Sequence, residues 1–341
     1  MATANSAKII EATDDPELIQ LMDYPDSTEE IPTIDISGYL SGKPGELERV
    51  AARLREVTET IGFFYLAGHG VEQSIFDDMF AAAKRFFDQP LEEKKTVGRD
   101  GRIGFFELQD RERDGNQYLV QKTTAPYNES FIIGRERAPD DADALAGKPF
   151  CKFNLWPKNL PGFRESVVDY QNRMIALGRK MLPLWARSLD LPLDFFDAMF
   201  EKPHANIRVV HYPPQKDVGT GVYGSIPHTD NCFMTLLAQA NVPGLAVRMP
   251  SGHWRIADII PGTIIVNTGN LMVRWTNARY LSTKHRVINT SGADRYTFPV
   301  FFGPDFETMI ECLPTCQGPD NPPLFEPMTY AGMRNWYYGL K

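Results

Sequence analysis

The chain has 341 residues, of which 43% are hydrophobic and 23% charged, with a formal net charge of −8. That length can bury a large core, and the acidic balance argues against a nucleic acid or an anionic membrane as partner. No run is long and apolar enough to span a bilayer, and Met1-Ala2-Thr3-Ala4-Asn5-Ser6 lacks the basic-then-apolar order of a signal peptide, so a cytoplasmic protein is expected.

Residues 1–30 read as an acidic N-terminal leader, with Asp14-Asp15-Pro16-Glu17 and Asp26-Ser27-Thr28-Glu29-Glu30. Residues 31–200 read as the helix-rich part of a single domain. Leu47, Val50, Leu54 and Val57 recur at helical spacing between Pro44 and Ile61. Phe76, Met79, Phe80 and Ala83 form a second stripe that ends at Phe87, before Asp88-Gln89-Pro90. Residues 98–128 are rich in Gly, charge and amide groups and read as a loop or lid, with Phe105, Phe106 and Tyr118 available to face a substrate. Phe163 to Leu189 predicts a long helix whose buried stripe is Val167, Tyr170, Met174, Leu177, Met181 and Leu184; a short helix over Leu193 to Phe200 follows.

From Ile207 onward short strands alternate with turn signals such as Val242-Pro243-Gly244, Pro250-Ser251-Gly252 and Asn289-Thr290-Ser291-Gly292. Helices followed by many short strands fit a mainly β protein with helices: a double-stranded β-helix, or jelly-roll, core over residues 201–341 backed by the helices. The aromatic-rich closing segment from Met328 to Lys341 fits either a cover over the barrel mouth or a terminal helix docked on the core. The four cysteines, Cys151, Cys232, Cys312 and Cys316, match no zinc ribbon or redox pair, so free thiols in a reducing compartment are expected. Cys232 is read as a small buried packing residue, although strand alternation also puts it on the face of Asp230.

His228-Thr229-Asp230 and the distant His285 carry the sharpest chemistry. His228 and Asp230 stand at i and i+2, so on a strand both point to one side of the sheet. His285 lies in a second strand-like run, Leu281 to Ile288, and a barrel or sandwich interior can supply such a distant ligand. Two imidazoles and one carboxylate on one face of a metal leave the opposite face open, which suits Fe(II) and its co-substrates. Downstream, Arg295-Tyr296-Thr297-Phe298-Pro299-Val300-Phe301-Phe302 reads as a strand with Arg295, Thr297, Pro299 and Phe301 on one face. A guanidinium fork matches a carboxylate bidentately, and the Thr297 hydroxyl can add a donor to the same group. The plainer alternative is an edge-strand arginine in a surface ion pair. His69, His204, His211 and His253 have no carboxylate or imidazole at suitable strand spacing and are read as structural.

The stretch from Arg208 to Phe302 resembles the 2-oxoglutarate- and Fe(II)-dependent oxygenases related to isopenicillin N synthase. Further marks in the same order are Ile31-Pro32-Thr33-Ile34-Asp35, Gly62-Phe63-Phe64-Tyr65-Leu66 through His69-Gly70-Val71, Glu129-Ser130-Phe131-Ile132-Ile133-Gly134, Tyr212-Pro213-Pro214 and Trp275-Thr276-Asn277-Ala278-Arg279-Tyr280. The resemblance implies that His228, Asp230 and His285 are the iron ligands, that Arg295 and Thr297 bind the distal carboxylate of 2-oxoglutarate, and that Tyr212 helps hold this co-substrate. It also implies O2 as the second co-substrate, succinate and CO2 as products, and hydroxylation as the default outcome, with desaturation and ring modification as variants. The chain departs from the family in having Thr297 where Ser is common, Val210 where many plant members have Asn, and Gly269-Asn270 for Gly-Asp, which suggests a microbial-type branch.

The expected partner is a small molecule, with no nucleic acid and no membrane; oligomeric state is not legible. Arg208 is placed by alternation on the same inward face as Val210 and Tyr212, where a cation needs an anionic or strongly polar partner, either a structural carboxylate or a bound substrate. Candidate substrate contacts are Arg208, Phe105, Tyr118, Phe131, Phe233 and Phe301. A zinc hydrolase could use the same three donors but would give Arg295 and Thr297 no role. A non-catalytic binding protein on this fold would not need all three ligands. Within the family, an oxidase that dispenses with 2-oxoglutarate and an ethylene-forming type remain alternatives.

Overall fold

The apolar stripes of the first half fold as helices. Helix α1 (Glu46–Thr60) buries Val50, Leu54 and Val57, and Glu46 and Glu48 in its first turn complement the helix dipole. Helix α2 (Gln73–Phe87) buries Phe76, Met79, Ala83, Phe86 and Phe87 and carries Lys84 and Arg85 in its last turn. Helix α3 (Phe163–Ser188) buries the predicted stripe from Val167 to Leu184. Each large side chain so buried contributes about 1.5–3 kcal/mol. The short helix expected over Leu193 to Phe200 is only a 3-10 turn at Ala198–Phe200, because the N–H groups of Phe195 and Asp197 close tight turns on the Pro192 and Asp194 carbonyls, three residues back. The computed structural model describes residues 29–108, 127–215, 223–239 and 242–339. The leader through residue 28 and residues 109–126, with Tyr118, lie outside the described residues.

The strands are β1 (Thr33–Asp35), β2 (Phe63–Ala67), β3 (Arg99–Asp100), β4 (Ile103–Phe106), β5 (Glu129–Ile133), β6 (His204–Tyr212), β7 (Ser225–His228), β8 (Met234–Gln239), β9 (Leu245–Arg248), β10 (Trp254–Ile256), β11 (Thr263–Thr268), β12 (His285–Val287) and β13 (Arg295–Gly303). They build a major sheet in the order β1-β2-β11-β8-β13-β6-β5-β4-β3 and a minor sheet in the order β10-β9-β12-β7. Strands from both halves of the sequence therefore share the major sheet. Part of the expected loop over 98–128 is strand: Ile103 to Phe106 is an apolar run that pairs with β5. Gly104 permits it, with φ of 105° and a backbone so close to the Gly98 carbonyl that a β-carbon would clash.

Alternation divides each strand of the major sheet between two environments. Ala205, Ile207 and Val209 of β6 and Phe298, Val300 and Phe302 of β13 join the helices in one large core. Val210, Tyr212 and Leu237 face the other way and pack with Leu245, Val247 and Val287 of the minor sheet. The two sheets thus enclose a jelly-roll interior. Helix α4 (Asn270–Trp275) follows β11. A two-stranded ladder, β14 (Met309–Ile310) with β15 (Met328–Thr329), leads into helix α5 (Tyr330–Tyr337). Among the described residues no helix is long and apolar enough to cross a membrane.

Candidate active site

The jelly-roll interior gathers His228, Asp230 and His285. His285 of β12 stands opposite His228 of β7 in the antiparallel ladder, with ring centroids 4.3 Å apart. One ligand atom from each of the three residues lies within 4.8 Å of the other two. Asp230 Oδ1 is 3.9 Å from His228 Nε2 and 3.7 Å from His285 Nε2. The far ring atoms are committed to the backbone: His228 Nδ1 donates to the Ile226 carbonyl at 2.7 Å and His285 Nδ1 to the Thr283 carbonyl at 3.2 Å. Those bonds fix the tautomer that leaves both Nε2 lone pairs directed at the centre.

Asp230 is oriented in the same way. Its Oδ2 accepts from Thr235 Oγ1 at 2.5 Å and Asn267 Nδ2 at 2.8 Å, so Oδ1 is the oxygen left for a ligand. Burial opposes its charge, but His285 and His228 and these two bonds hold its carboxyl below the usual carboxylate range. Burial and the neighbouring His285 push the His228 imidazole below its ordinary value, toward the neutral form that ligates metal. The loop carrying Asp230 rests on the end of β11. Asn270 N–H donates to the Asp230 carbonyl, and Asn270 Nδ2 donates to Thr229 Oγ1 and Asn231 Oδ1. A β-carbon at Gly269 would collide with the Cys232 carbonyl, which explains the Gly269-Asn270 pair. Cys232 itself is a buried thiol 3.3 Å from Thr235 Oγ1, with its pKa pushed up by burial.

Arg295 comes from the opposite sheet. It is the register partner of Tyr212, and Thr297 is the partner of Val210. Its Cζ lies 5.2 Å from the Tyr212 ring centroid. Arg295 is 1% exposed, and its Nε donates to the Val242 carbonyl at 3.2 Å. Its Nη1 and Nη2 are buried and have no hydrogen-bond partner among the described residues. Burial weakens the hold of this guanidinium on its proton. A buried cation without a partner costs several kcal/mol, a cost that an arriving carboxylate offsets. Thr297, also buried, stands beside it on the same face of β13. The donor set fits a metal, and the orphaned fork fits a carboxylate.

Arg208 lies on the inward face of β6. Its Nη2 donates to Asn128 Oδ1 at 2.9 Å, its Nε has no partner, and it makes no ion pair among the described residues. No structural carboxylate of the kind weighed from the sequence meets it among the described residues. Phe301 shares the inner face of β13 with Arg295 and pairs in register with Asn206 and Thr235. Three expected substrate contacts are corrected. Phe131 and Phe105 turn outward, where both meet Phe86 in the helical core. Phe233 packs on Trp185, Phe196 and Trp275. Alternation explains Phe131, because Glu129, Phe131 and Ile133 share the outer face while Ser130 and Ile132 point inward. His211 turns to the outer face, as alternation predicts, where Glu129 and Asp294 of neighbouring segments flank it at 2.8 Å each. Thr235, Asn267 and Asn128 were not singled out in the sequence; they are ordinary polar residues whose partners lie far along the chain.

Comparison with known proteins agrees with this geometry. Residues 31–159 match the family model described as non-haem dioxygenase in morphine synthesis N-terminal, and residues 203–304 match that of the 2OG-Fe(II) oxygenase superfamily. The chain is 34% identical over 308 residues to the 2-oxoglutarate-Fe(II) type oxidoreductase hxnY of Emericella nidulans, covering 89% of this chain and 87% of that protein. It is 32% identical over 308 residues to kihadalactone A synthase of Citrus sinensis, covering 87% and 89%. Among solved structures, a full-length Neurospora crassa protein in complex with alpha-KG and thymine superposes with a TM-score of 0.78 at 25% identity, covering 91% of this chain and 96% of that one. JOX2 in complex with 2OG, Fe and JA gives 0.76 at 25% identity, covering 98% and 92%. The chain belongs to the 2-oxoglutarate- and Fe(II)-dependent oxygenases, and it is an enzyme that oxidises a small molecule with Fe(II), 2-oxoglutarate and O2.

Proposed function

We propose that His228, Asp230 and His285 hold the Fe(II), that Arg295 and Thr297 grip the distal carboxylate of 2-oxoglutarate with Tyr212 beside them, and that Arg208 and Phe301 face the primary substrate. The observation that carries this reading is the pair of buried Nη atoms of Arg295, on the inward face of β13, without a hydrogen-bond partner among the described residues. When bound, Fe(II) supplies O2 activation coupled to conversion of 2-oxoglutarate to succinate and CO2. The chain's own residues orient and exclude. The backbone bonds at His228 and His285 and the Thr235–Asn267 pair on Asp230 fix the donors before metal arrives. Arg295 fixes the co-substrate, and the apolar wall of Leu237, Leu245 and Val247 keeps water from the site.

The substrate outcome we assign is hydroxylation, in a small molecule of specialised metabolism. Relatives of this chain include a kihadalactone A synthase, and solved neighbours bind thymine or JA. One oxygenase domain, residues 31–341, is the organisation favoured by a major sheet that draws strands from both halves. Four buried free cysteines fit a reducing, cytoplasmic setting.

The test is anaerobic titration of 2-oxoglutarate into the Fe(II)-loaded protein. A visible charge-transfer band is expected. In Arg295→Gln the same band should require at least ~30-fold more 2-oxoglutarate, because removing one partner of a desolvated charge pair costs about 2–5 kcal/mol. An unchanged titration in Arg295→Gln overturns the clamp.

A further inference from the structure

The minor sheet turns His285, Leu245 and Val247 to the jelly-roll interior, and its other face has no part in the site. On that outer face, register sets Arg248 opposite Trp254, and alternation puts Arg286 of the next strand on the same side. The Arg286 guanidinium carbon lies 4.1 Å from the Trp254 ring centroid and that of Arg248 lies 5.9 Å from it, so two cations share one indole. Arg286 is 7% exposed, its Nε is buried without a hydrogen-bond partner, and it meets no carboxylate among the described residues. Trp254 is buried yet belongs to neither apolar cluster. Ile256, opposite Ala246 on the same face, is 44% exposed. Strands β7, β9, β10 and β12 hold three arginines and no Asp or Glu, and only Arg255 of the three answers a nearby carboxylate of its own loop, that of Asp258. This face is cationic and partly apolar, and its like charges lie close together, which is costly until an anion arrives.

The chain brings its own anion to this corner. Ser251, in the turn that joins β9 to β10, donates its hydroxyl to the Glu29 carboxylate. Ser251 stands three residues from Arg248 and three from Trp254. Two residues after Glu29, Ile31 is buried in the apolar cluster between the sheets, with Met249 and Ala257, so the inner side of this corner is filled. Residues 1–28 thus start from the hairpin tip beside the outer face. They carry Glu11, Asp14, Asp15, Glu17, Asp23 and Asp26 against Lys8, with Leu18, Ile19, Leu21 and Met22 interleaved. The four-stranded face is about 14 Å across, and 28 extended residues reach as far as about 90 Å, so a fraction of the leader suffices to cross it. A free inorganic anion would answer the arginines alone. The leader answers both the arginines and the Trp254–Ile256 strip.

We propose that the outer face of the minor sheet is a docking surface for the chain's own acidic leader, with carboxylates between Glu11 and Asp26 meeting Arg286 and Arg248 and the apolar residues between them covering Trp254 and Ile256. The occupant is the leader of the same molecule. The docked leader backs the strands whose other face carries His228 and His285.

The experiment is amide hydrogen exchange of the full chain, read by mass spectrometry on peptides covering residues 9–24, 245–256 and 284–288. In the parent, residues 9–24 should exchange at least about tenfold more slowly than a synthetic peptide of the same sequence. Neutralising the leader with Asp14→Asn, Asp15→Asn, Glu17→Gln and Asp23→Asn together should remove that protection and speed exchange in 245–256 and 284–288. Arg286→Gln should free the leader in the same way. Should Arg286→Gln fail to fold, Arg248→Gln carries the comparison. Arg248→Glu combined with Asp14→Lys, Asp15→Lys and Glu17→Lys should recover part of the protection that either change alone removes. A leader that exchanges like the free peptide in the parent overturns the proposal, and so does sheet exchange indifferent to both the neutral leader and the arginine substitutions. The protection should hold over about a hundredfold range of protein concentration; protection that grows with concentration would assign the face to a second copy and overturn docking within one molecule.

Discussion

On the outer face of β5 and β6, Lys94 lies 2.7 Å from Glu129, Glu129 lies 2.8 Å from His211, and His211 reaches Asp294, with the Tyr296 ring stacked on the imidazole. On the inner face of the same sheet, Arg208 and Arg295 have, among the described residues, only neutral acceptors and orphaned nitrogens. The two faces are a strand's thickness apart, and Lys94 and Glu129 on one and Arg295 on the other are buried. The first resolves its charges within the protein, and the second leaves them for something that is not protein. A buried charge without a counter-charge is among the costlier things a fold can keep, so its location marks where a ligand is expected to complete the structure.

That contrast can be broken at either face. The largest effect should come at the metal end of the inner face. Asp230→Ala removes the only anionic ligand and should abolish both Fe(II) binding and turnover, read by metal analysis of the purified protein and by succinate release. His228→Ala and His285→Ala should match it; stoichiometric iron with normal product in any of them would break the assignment. On the outer face, Glu129→Gln leaves Lys94 buried without its partner and should cost about 3–5 kcal/mol of stability. It would show as a lower melting temperature, while the 2-oxoglutarate dependence of the folded enzyme stays as it was. If the opposite split were observed, the division between the faces would be wrong.

A third variant probes the support beneath the site. Thr235→Val keeps the shape and deletes the hydroxyl that holds Asp230 Oδ2. Fe(II) affinity should fall about 10–100-fold, as is usual when an outer partner of a ligand is lost; a metal titration that overlays the parent would show that Asn267 alone suffices. The smallest effect belongs to Thr297. Thr297→Val should raise the KM for 2-oxoglutarate on the order of tenfold through one lost hydrogen bond to a charged group, and Thr297→Ser, which keeps the hydroxyl, should be close to neutral. Equal kinetics for the two would remove the hydroxyl from the clamp.

Periodicity made α1, α2 and α3 legible, because burying one face of a helix requires apolar residues every three to four positions whatever the partner. It failed at Leu193 to Phe200, where aromatic side chains are held by Trp275 and Phe233 without a helix to carry them, and over residues 98–128, where Ile103 to Phe106 is a strand paired on both sides rather than loop.

The sequence by itself determined the alignment of the two residue pairs proposed to hold the metal and the co-substrate carboxylate. His228-x-Asp230 and Arg295-x-Thr297 are each short enough that strand alternation alone aligns their side chains, and the resemblance spans most of the chain. The tertiary structure decided what depends on pairing across the sheets. It set His285 opposite His228, brought Thr235 and Asn267 onto Asp230, turned Phe105, Phe131 and Phe233 into the core, and brought Tyr330 of helix α5 onto His204 at the start of β6. A side chain's own strand fixes only its direction modulo two. Which of the two faces is cavity, and what comes across to meet it, is set by register between segments far apart in the chain, such as Phe63 of β2 and Asn267 of β11.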